Sequence, residues 1–275
     1  MTHGLGTGQV GRTADGTTEL KLDKMAVIAR GMFEYTEMFN LEKDGVIRRL
    51  LDQPGASVLD VPGSTSSFGL QLRRMAERAK CDLTVTSLDI VYDTPARELY
   101  DAAMRTAKTA LEPLLKENSW QGQSWVSQQT PFHTPADLLH YREVTYKNWL
   151  EDFERNRDCY ITDSFPNLSK LEGRKFNLIV SGNCLFAYAD KLFGDNPDEI
   201  YAFHERSVLS MANLLTKGGE LRIYPIGTAS VPVYPKLHEL QERVVAAGYS
   251  VSVDKVDRPP NVANWDQLLR ITKPA

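Results

Sequence analysis

Short apolar runs alternate with longer stretches of helical spacing over most of the chain, which predicts an α/β fold built on a mainly parallel sheet. Val58 to Val61, after the break at Pro54-Gly55, reads as a buried first strand, and Leu70 to Ala79 as the helix that follows it. Leu83 to Leu88 alternates as a second strand ending at Asp89. Cys159 to Thr162, Phe176 to Val180 and Leu221 to Ile226 are the third to fifth strands, and Val251 to Val256 and Asp266 to Thr272 the last two. Helical spacing covers Ala96 to Leu115, Ala136 to Arg157, Pro197 to Leu215 and Tyr234 to Gly248. Thr216-Lys217-Gly218-Gly219 reads as a glycine stop closing the helix before the fifth strand. Near the start, Met25, Val27, Ile28, Met32, Phe33, Tyr35, Met38 and Phe39 form a broad apolar stripe on a helix from Lys24 to Leu41, and a second helix from Leu41 to Asp52 stops at Pro54.

Residues 1–22 are rich in Gly and Thr and predict a mobile arm; residues 23–275 predict one α/β domain. Within it, 23–53 are N-terminal helices and 94–157 a helical insertion, far longer than a minimal crossover, placed over the strand ends. Leu138, Leu139, Tyr141, Tyr146, Trp149, Leu150 and Phe153 supply its apolar faces, mostly as core, with part available to a substrate pocket. The first helix has two readings, a brace packed on the sheet or a lid. Arg30, Tyr35 and Phe39 suit the lid: Arg30 can hold a carboxylate, and Tyr35 can donate a hydrogen bond or face a cation.

The candidate chemistry lies in the stretch Ser57 to Leu70. Strand, glycine-bearing turn and helix open a mononucleotide-binding unit, in which Gly63 lets backbone approach a ligand and free N–H groups, with Ser64, Thr65, Ser66 and Ser67, hydrogen-bond to it. A dinucleotide fingerprint would crowd three glycines against a pyrophosphate, but only Gly63 and Gly69 stand here, and Asp60 closes the strand. A carboxylate at that point suits an ammonium or sulfonium group. The plain alternative is a strand–turn–helix without a ligand. Asp89, at the end of the second strand, can accept both hydroxyls of a ribose; its plain alternative is a cap on the helix starting near Thr94. Cys184 reads as a packed thiol, since no histidine–acid pair is placed to activate it. His133 and His140 in the insertion could serve as a base, or lie at the surface or in packing.

Composition narrows the partners. The chain has 275 residues, 42% hydrophobic and 25% charged, and a net charge of −4, so no basic field exists for nucleic acid. No apolar run is long enough to span a membrane, and no basic-then-apolar leader opens the chain. Three scattered cysteines without CxxC spacing fit a reducing cytoplasm and no metal site. A small-molecule substrate is expected; the sequence leaves the oligomeric state open.

Val58-Leu59-Asp60-x-Pro62-Gly63 resembles motif I of the class I S-adenosylmethionine (SAM) methyltransferases, V-L-D-x-G-x-G-x-G. Asp60-x-Pro-Gly-x-x-Ser-Ser-Phe is similar to a bacterial branch of that family, although Pro62 and Ser64 depart from the common pattern. The run Glu34 to Phe39 resembles an N-terminal segment of the same branch. Asp89-Ile90 resembles the second motif, with Tyr92 placed to cover an adenine. Asp163, followed by Ser164, matches the acid that accepts the adenine amino group, a turn-forming Asp-Ser being the rival reading. Ser181-Gly182-Asn183 resembles motif IV, which faces the methionine half of SAM, and Leu214 to Ile223 resembles the family's post-helix turn. The resemblance covers about residues 55–92 and 159–275. It implies a Rossmann-like sheet of seven strands, mostly parallel with an antiparallel last strand. It also implies SAM bound by Asp60, Pro62, Gly63, Ser64, Ser66, Ser67, Asp89, Ile90, Tyr92, Asp163, Ser164, Ser181 and Gly182, to which the lid reading adds Arg30 as a partner for its carboxylate. Tyr35, Tyr160, Ser181 and Asn183 are the candidates for catalytic roles. Methyl transfer to a small molecule, releasing S-adenosylhomocysteine, is the leading expectation. An alternative is attack of the cofactor's own amino group on its γ-carbon, giving azetidine-2-carboxylate and methylthioadenosine under an aromatic cover of Tyr35, Phe39, Tyr141, Tyr146 and Tyr160. A third is a SAM- or nucleoside-binding protein without catalysis.

Overall fold

The computed structural model describes residues 11–12, 18–19, 27, 30–116, 132, 134–187, 193, 196–228, 231–256 and 265–275. Gly11–Arg12 (β1) and Thr18–Glu19 (β2) pair antiparallel inside the stretch predicted as a mobile arm. The main sheet contains Ala56–Asp60 (β3), Leu83–Leu88 (β4), Tyr160–Ile161 (β5), Phe176–Gly182 (β6), Leu215–Tyr224 (β7), Ser250–Lys255 (β8) and Gln267–Thr272 (β9). Its order is β5-β4-β3-β6-β7-β9-β8, and β9 alone runs antiparallel to its neighbours. This is the mostly parallel, seven-stranded Rossmann-like sheet expected from the sequence. The winding reverses between β3 and β6, so the crevice beyond the carboxyl ends of those strands is where an α/β sheet accepts ligands.

Alternate residues of the central strands enter opposite cores. Leu59, Val61, Leu88 and Ile179 pack with Pro197–Asn213 (α6) and Leu237–Ala246 (α7). Val58, Val85, Leu178 and Val180 pack with Met32–Met38 (α1), Val46–Asp52 (α2) and Phe68–Ala79 (α3). The long crossover from β4 to β5 holds Ala96–Lys116 (α4) and Pro135–Arg155 (α5), as the predicted insertion requires. Trp149 and Phe153 of α5 bury beside Tyr92 and Tyr160, while Arg73 of α3 pairs with the buried Asp152. No described helix is long and apolar enough to cross a membrane.

Three sequence expectations change. The helix predicted from Lys24 begins only at Met32, where extended Gly31 donates its N–H to Glu34 Oε2 at 3.2 Å, a start signal the apolar stripe concealed. The second helix begins at Val46, because Gly45 at φ 64° turns the chain first. The glycine pair after α6 is not a helix stop. α6 ends at Asn213, and Gly218 (φ 72°) and Gly219 lie inside β7, beside a register shift against β6. A Cβ on Gly219 would sit 2.9 Å from the Phe176 carbonyl oxygen, so the pair serves a bulge where backbones approach closely.

Candidate functional site

Asp60 and Asp89 end adjacent parallel strands, with Asp60 in register with Ser87, so both carboxylates reach the same sheet edge. Each is enclosed: Asp60 is 1% and Asp89 7% exposed. Tyr35 Oη donates to both oxygens of Asp60, at 2.9 and 3.0 Å. Asp89 accepts the backbone N–H groups of Ser64 (2.8 Å) and Val91 (3.1 Å). Burial pushes the Asp60 carboxyl well above the usual carboxylate range; the Tyr35 hydrogen bond offsets part of this, and the charge of Asp89 adds to it. Burial also raises Asp89, to about 6, against the opposing pull of its backbone donors. Two desolvated acids, the charge of one raising the other, are an expensive arrangement, and a cation beside them would relieve it.

The turn that follows Asp60 is held by the protein itself. Val61-Pro62 is a cis peptide, and Gly63 donates its N–H to the Leu88 carbonyl at 2.9 Å. A Cβ on Gly63 would lie 2.5 Å from Tyr92 Oη, which makes glycine obligatory there. Ser64 takes φ 45°, and its carbonyl accepts Tyr92 Oη at 2.8 Å. Ser66 Oγ and Ser67 N–H both donate to the Arg30 carbonyl, at 2.6 and 3.1 Å, so this turn also anchors the segment entering α1. The Ser66 hydroxyl is thus committed to protein, and the Ser67 hydroxyl accepts Gln71 Nε2 at 2.6 Å, whereas the buried Thr65 Oγ1 and Ser181 Oγ have no hydrogen-bond partner among the described residues.

β6 supplies the opposite wall. Ser181 is buried, a Cβ on Gly182 would meet the Phe39 ring at 3.2 Å, and Asn183 (φ 54°) donates Nδ2 to Met38 Sδ. α1 therefore covers this edge with Tyr35, Met38 and Phe39, and Tyr35 stacks on Phe68 at 4.3 Å. The Arg30 guanidinium lies close enough to influence both Tyr35 and Tyr224. Cys184 is half-buried beside this edge, and burial with the Asp89 charge pushes its thiol up to about 12. It is a packed thiol, not a nucleophile.

Several predicted site residues have other work. The Tyr92 ring is buried between Phe153 and Tyr160 and its hydroxyl holds the turn, so it supports the site from beneath instead of covering it. Tyr160 donates to Asp152, and Tyr146 is buried against α4 beside Ala102 and Ala103, which removes both from an aromatic cover. Asp163 accepts the backbone N–H groups of Ser164 (2.8 Å) and Lys170 (2.7 Å), the turn-forming alternative, and Ser164 is exposed. Asp89 caps the 3-10 turn Ile90–Asp93 and not the helix expected near Thr94, which begins at Ala96, while Ile90 packs half-buried in the cluster of Tyr92. His140 is exposed, His204 is buried in packing, and His133 lies outside the described residues.

The sequence reading missed two buried groups that shape this edge. Glu34 of α1 pairs with Arg142 of α5, and Arg222 of β7 donates to the carbonyls of Phe39 and Asn40. A charged residue inside the apolar run Leu221 to Ile226 was the available signal for Arg222. Arg142 lay among aromatic residues on a helix already assigned to packing.

No protein-family profile matches the chain. An uncharacterized protein of Methanocaldococcus jannaschii is 26% identical over 238 residues, covering 84% of this chain and 92% of that protein. Among solved structures, a methyltransferase from Pyrococcus furiosus matches at 16% identity, with a TM-score of 0.39 and coverage of 86% of this chain and 83% of that one. The N-methyltransferase NodS from Bradyrhizobium japonicum, in complex with S-adenosylhomocysteine, matches at 12% identity, a TM-score of 0.40 and coverage of 85% and 87%.

Proposed function

We propose that the crevice between β3, β4 and β6 binds SAM, and that the chain transfers its methyl group to a small-molecule acceptor. The observation that carries this reading is the convergence of Asp60 and Asp89, both desolvated, at the point where the sheet reverses. Asp89 is the acceptor for ribose hydroxyls, and Asp60 the partner for a positive group. The unpartnered hydroxyls of Ser181 and Thr65, and the close approach allowed at Gly63 and Gly182, fit a polar ligand threaded along this edge. The cofactor supplies an activated methyl group on a sulfonium; the chain's part is to position it and exclude water. α1 does both through Tyr35, Met38 and Phe39. Methyl transfer from a sulfonium needs positioning more than it needs a strong acid or base.

Incubation of the purified protein with SAM, followed by mass spectrometry, tests the reading. S-adenosylhomocysteine formed only when an acceptor amine, hydroxyl or thiol is added supports methyl transfer. Methylthioadenosine formed from SAM alone would replace it with the cyclisation chemistry. No product in any mixture, despite binding, would leave a SAM-binding protein.

SAM affinity should also depend on pH in a set direction. An ionised carboxylate accepts hydroxyl hydrogen bonds and meets a cation better than its acid does, and Asp89 loses its proton only near pH 6. Affinity should therefore rise by about tenfold between pH 5 and 7, with ionisation of Asp60, also raised, acting in the same sense. Titration calorimetry across that range checks this; a flat profile would show that neither carboxylate touches the ligand.

A further inference from the structure

α1 brings Tyr35, Met38 and Phe39 to the strand edge, yet it is only seven residues long. A helix this short does not hold itself in register and takes its orientation from its ends. At the carboxyl end, Arg222, fully buried, donates to the Phe39 and Asn40 carbonyls and pairs with Asp44 at 2.8 Å. At the amino end the Arg30 carbonyl is held by Ser66 and Ser67. One further tie comes from the insertion. Glu34, 3% exposed, accepts both terminal nitrogens of Arg142, with Nη1 at 2.6 Å, and the N–H of Gly31; the Arg30 Nε lies 3.9 Å away.

An ion pair buried this deeply is a poor device for stability alone, because two desolvated charges can often be exchanged for apolar groups without loss. Its advantage is geometric. A bidentate guanidinium–carboxylate contact fixes direction and distance, which apolar packing does not. Glu34 immediately precedes Tyr35, whose hydroxyl must reach both oxygens of Asp60. A small rotation of α1 would break that contact while leaving Met38 and Phe39 in the core.

We infer that Glu34 and Arg142 are a positioning pair, through which the helical insertion sets Tyr35 over Asp60 and so completes the ligand site. The inference rests on the SAM reading for its ligand, but not for its geometry. The pair touches neither ligand nor reacting atoms and acts through α1.

The test compares Arg142→Met with the doubly apolar Glu34→Leu/Arg142→Met, by thermal unfolding, amide hydrogen exchange and SAM titration. The single change strands a buried carboxylate and should unfold at lower temperature; the double change should regain most of that loss. If the pair positions α1, the double variant still exchanges the amides of residues 35–39 at least about tenfold faster, with β3 and β6 unchanged. It also binds SAM about tenfold more weakly. Adding Tyr35→Phe to the double variant should then cost little more, since the Asp60 contact is already lost. A double variant with native exchange and native SAM affinity would overturn the inference, because packing would then suffice. If the unaltered protein binds no SAM, the proposed function falls, and the exchange comparison still decides whether the pair holds α1.

Discussion

Asp60→Asn should bind SAM about 100-fold more weakly than the unaltered protein while its stability stays within about 1 kcal/mol. Asparagine keeps the shape of aspartate and leaves an oxygen to accept the Tyr35 hydroxyl, so the stacked cover of Tyr35 and Phe68 persists. The change removes the negative charge, and with it the charge-assisted contact to a cation in a dry site, worth about 3 kcal/mol. Stability moves little because two terms oppose. The buried carboxyl no longer carries the cost of ionising, but the new amide nitrogen is buried without an acceptor. Chemical denaturation and titration calorimetry on the same preparation give both quantities. If Asp60 served only to anchor Tyr35, affinity would hold, and that outcome would separate the acid from the ligand.

Asp89→Ala should fail on both counts. Two backbone donors, the half-buried Ser64 N–H and the buried Val91 N–H, lose their acceptor, at a cost of about 2–3 kcal/mol of stability. SAM affinity should fall by about 100-fold or more, through lost ribose hydrogen bonds and a loosened turn. Asp89→Asn separates these causes. It restores one acceptor for the turn, so unfolding should return close to that of the unaltered protein, while affinity stays at least about tenfold down. Native affinity in Asp89→Asn would mean that the residue acts on the turn alone.

Much of the architecture was legible in the chain because the signals are local. Apolar runs such as Val58 to Val61 and Phe176 to Val180 become buried strands, and the place of Asp60 at the end of the first follows from the register. The insertion was legible from length alone. Features that depend on close approach were not. Gly218-Gly219 has the same appearance whether it ends a helix or makes a bulge, and only the neighbouring Phe176 carbonyl distinguishes them. The start of α1 was hidden because residues before Gly31 continue the apolar spacing.

The site was legible where a residue's backbone position fixes its role, and illegible where a side chain chooses among partners. Asp60, Gly63, Asp89, Ser181 and Gly182 meet at one edge as their strands require. Tyr92 and Tyr160 stand near the right strands, yet each finds a protein partner that spacing could not reveal, the Ser64 carbonyl and Asp152, while Asp163 takes the turn-forming role that the Asp-Ser pair had offered. Glu34 and Arg142, 108 positions apart, meet only because α5 crosses α1.

The central claim is that Asp60 and Asp89 together hold a cationic adenosyl ligand. Competition titrations at pH 7.5 with SAM, with S-adenosylhomocysteine and with adenosine test it most directly. A single saturable site that takes SAM more tightly than its neutral-sulfur analogue, and adenosine weakest of all, is the predicted result. Equal affinity for all three, or no saturable binding, would contradict it.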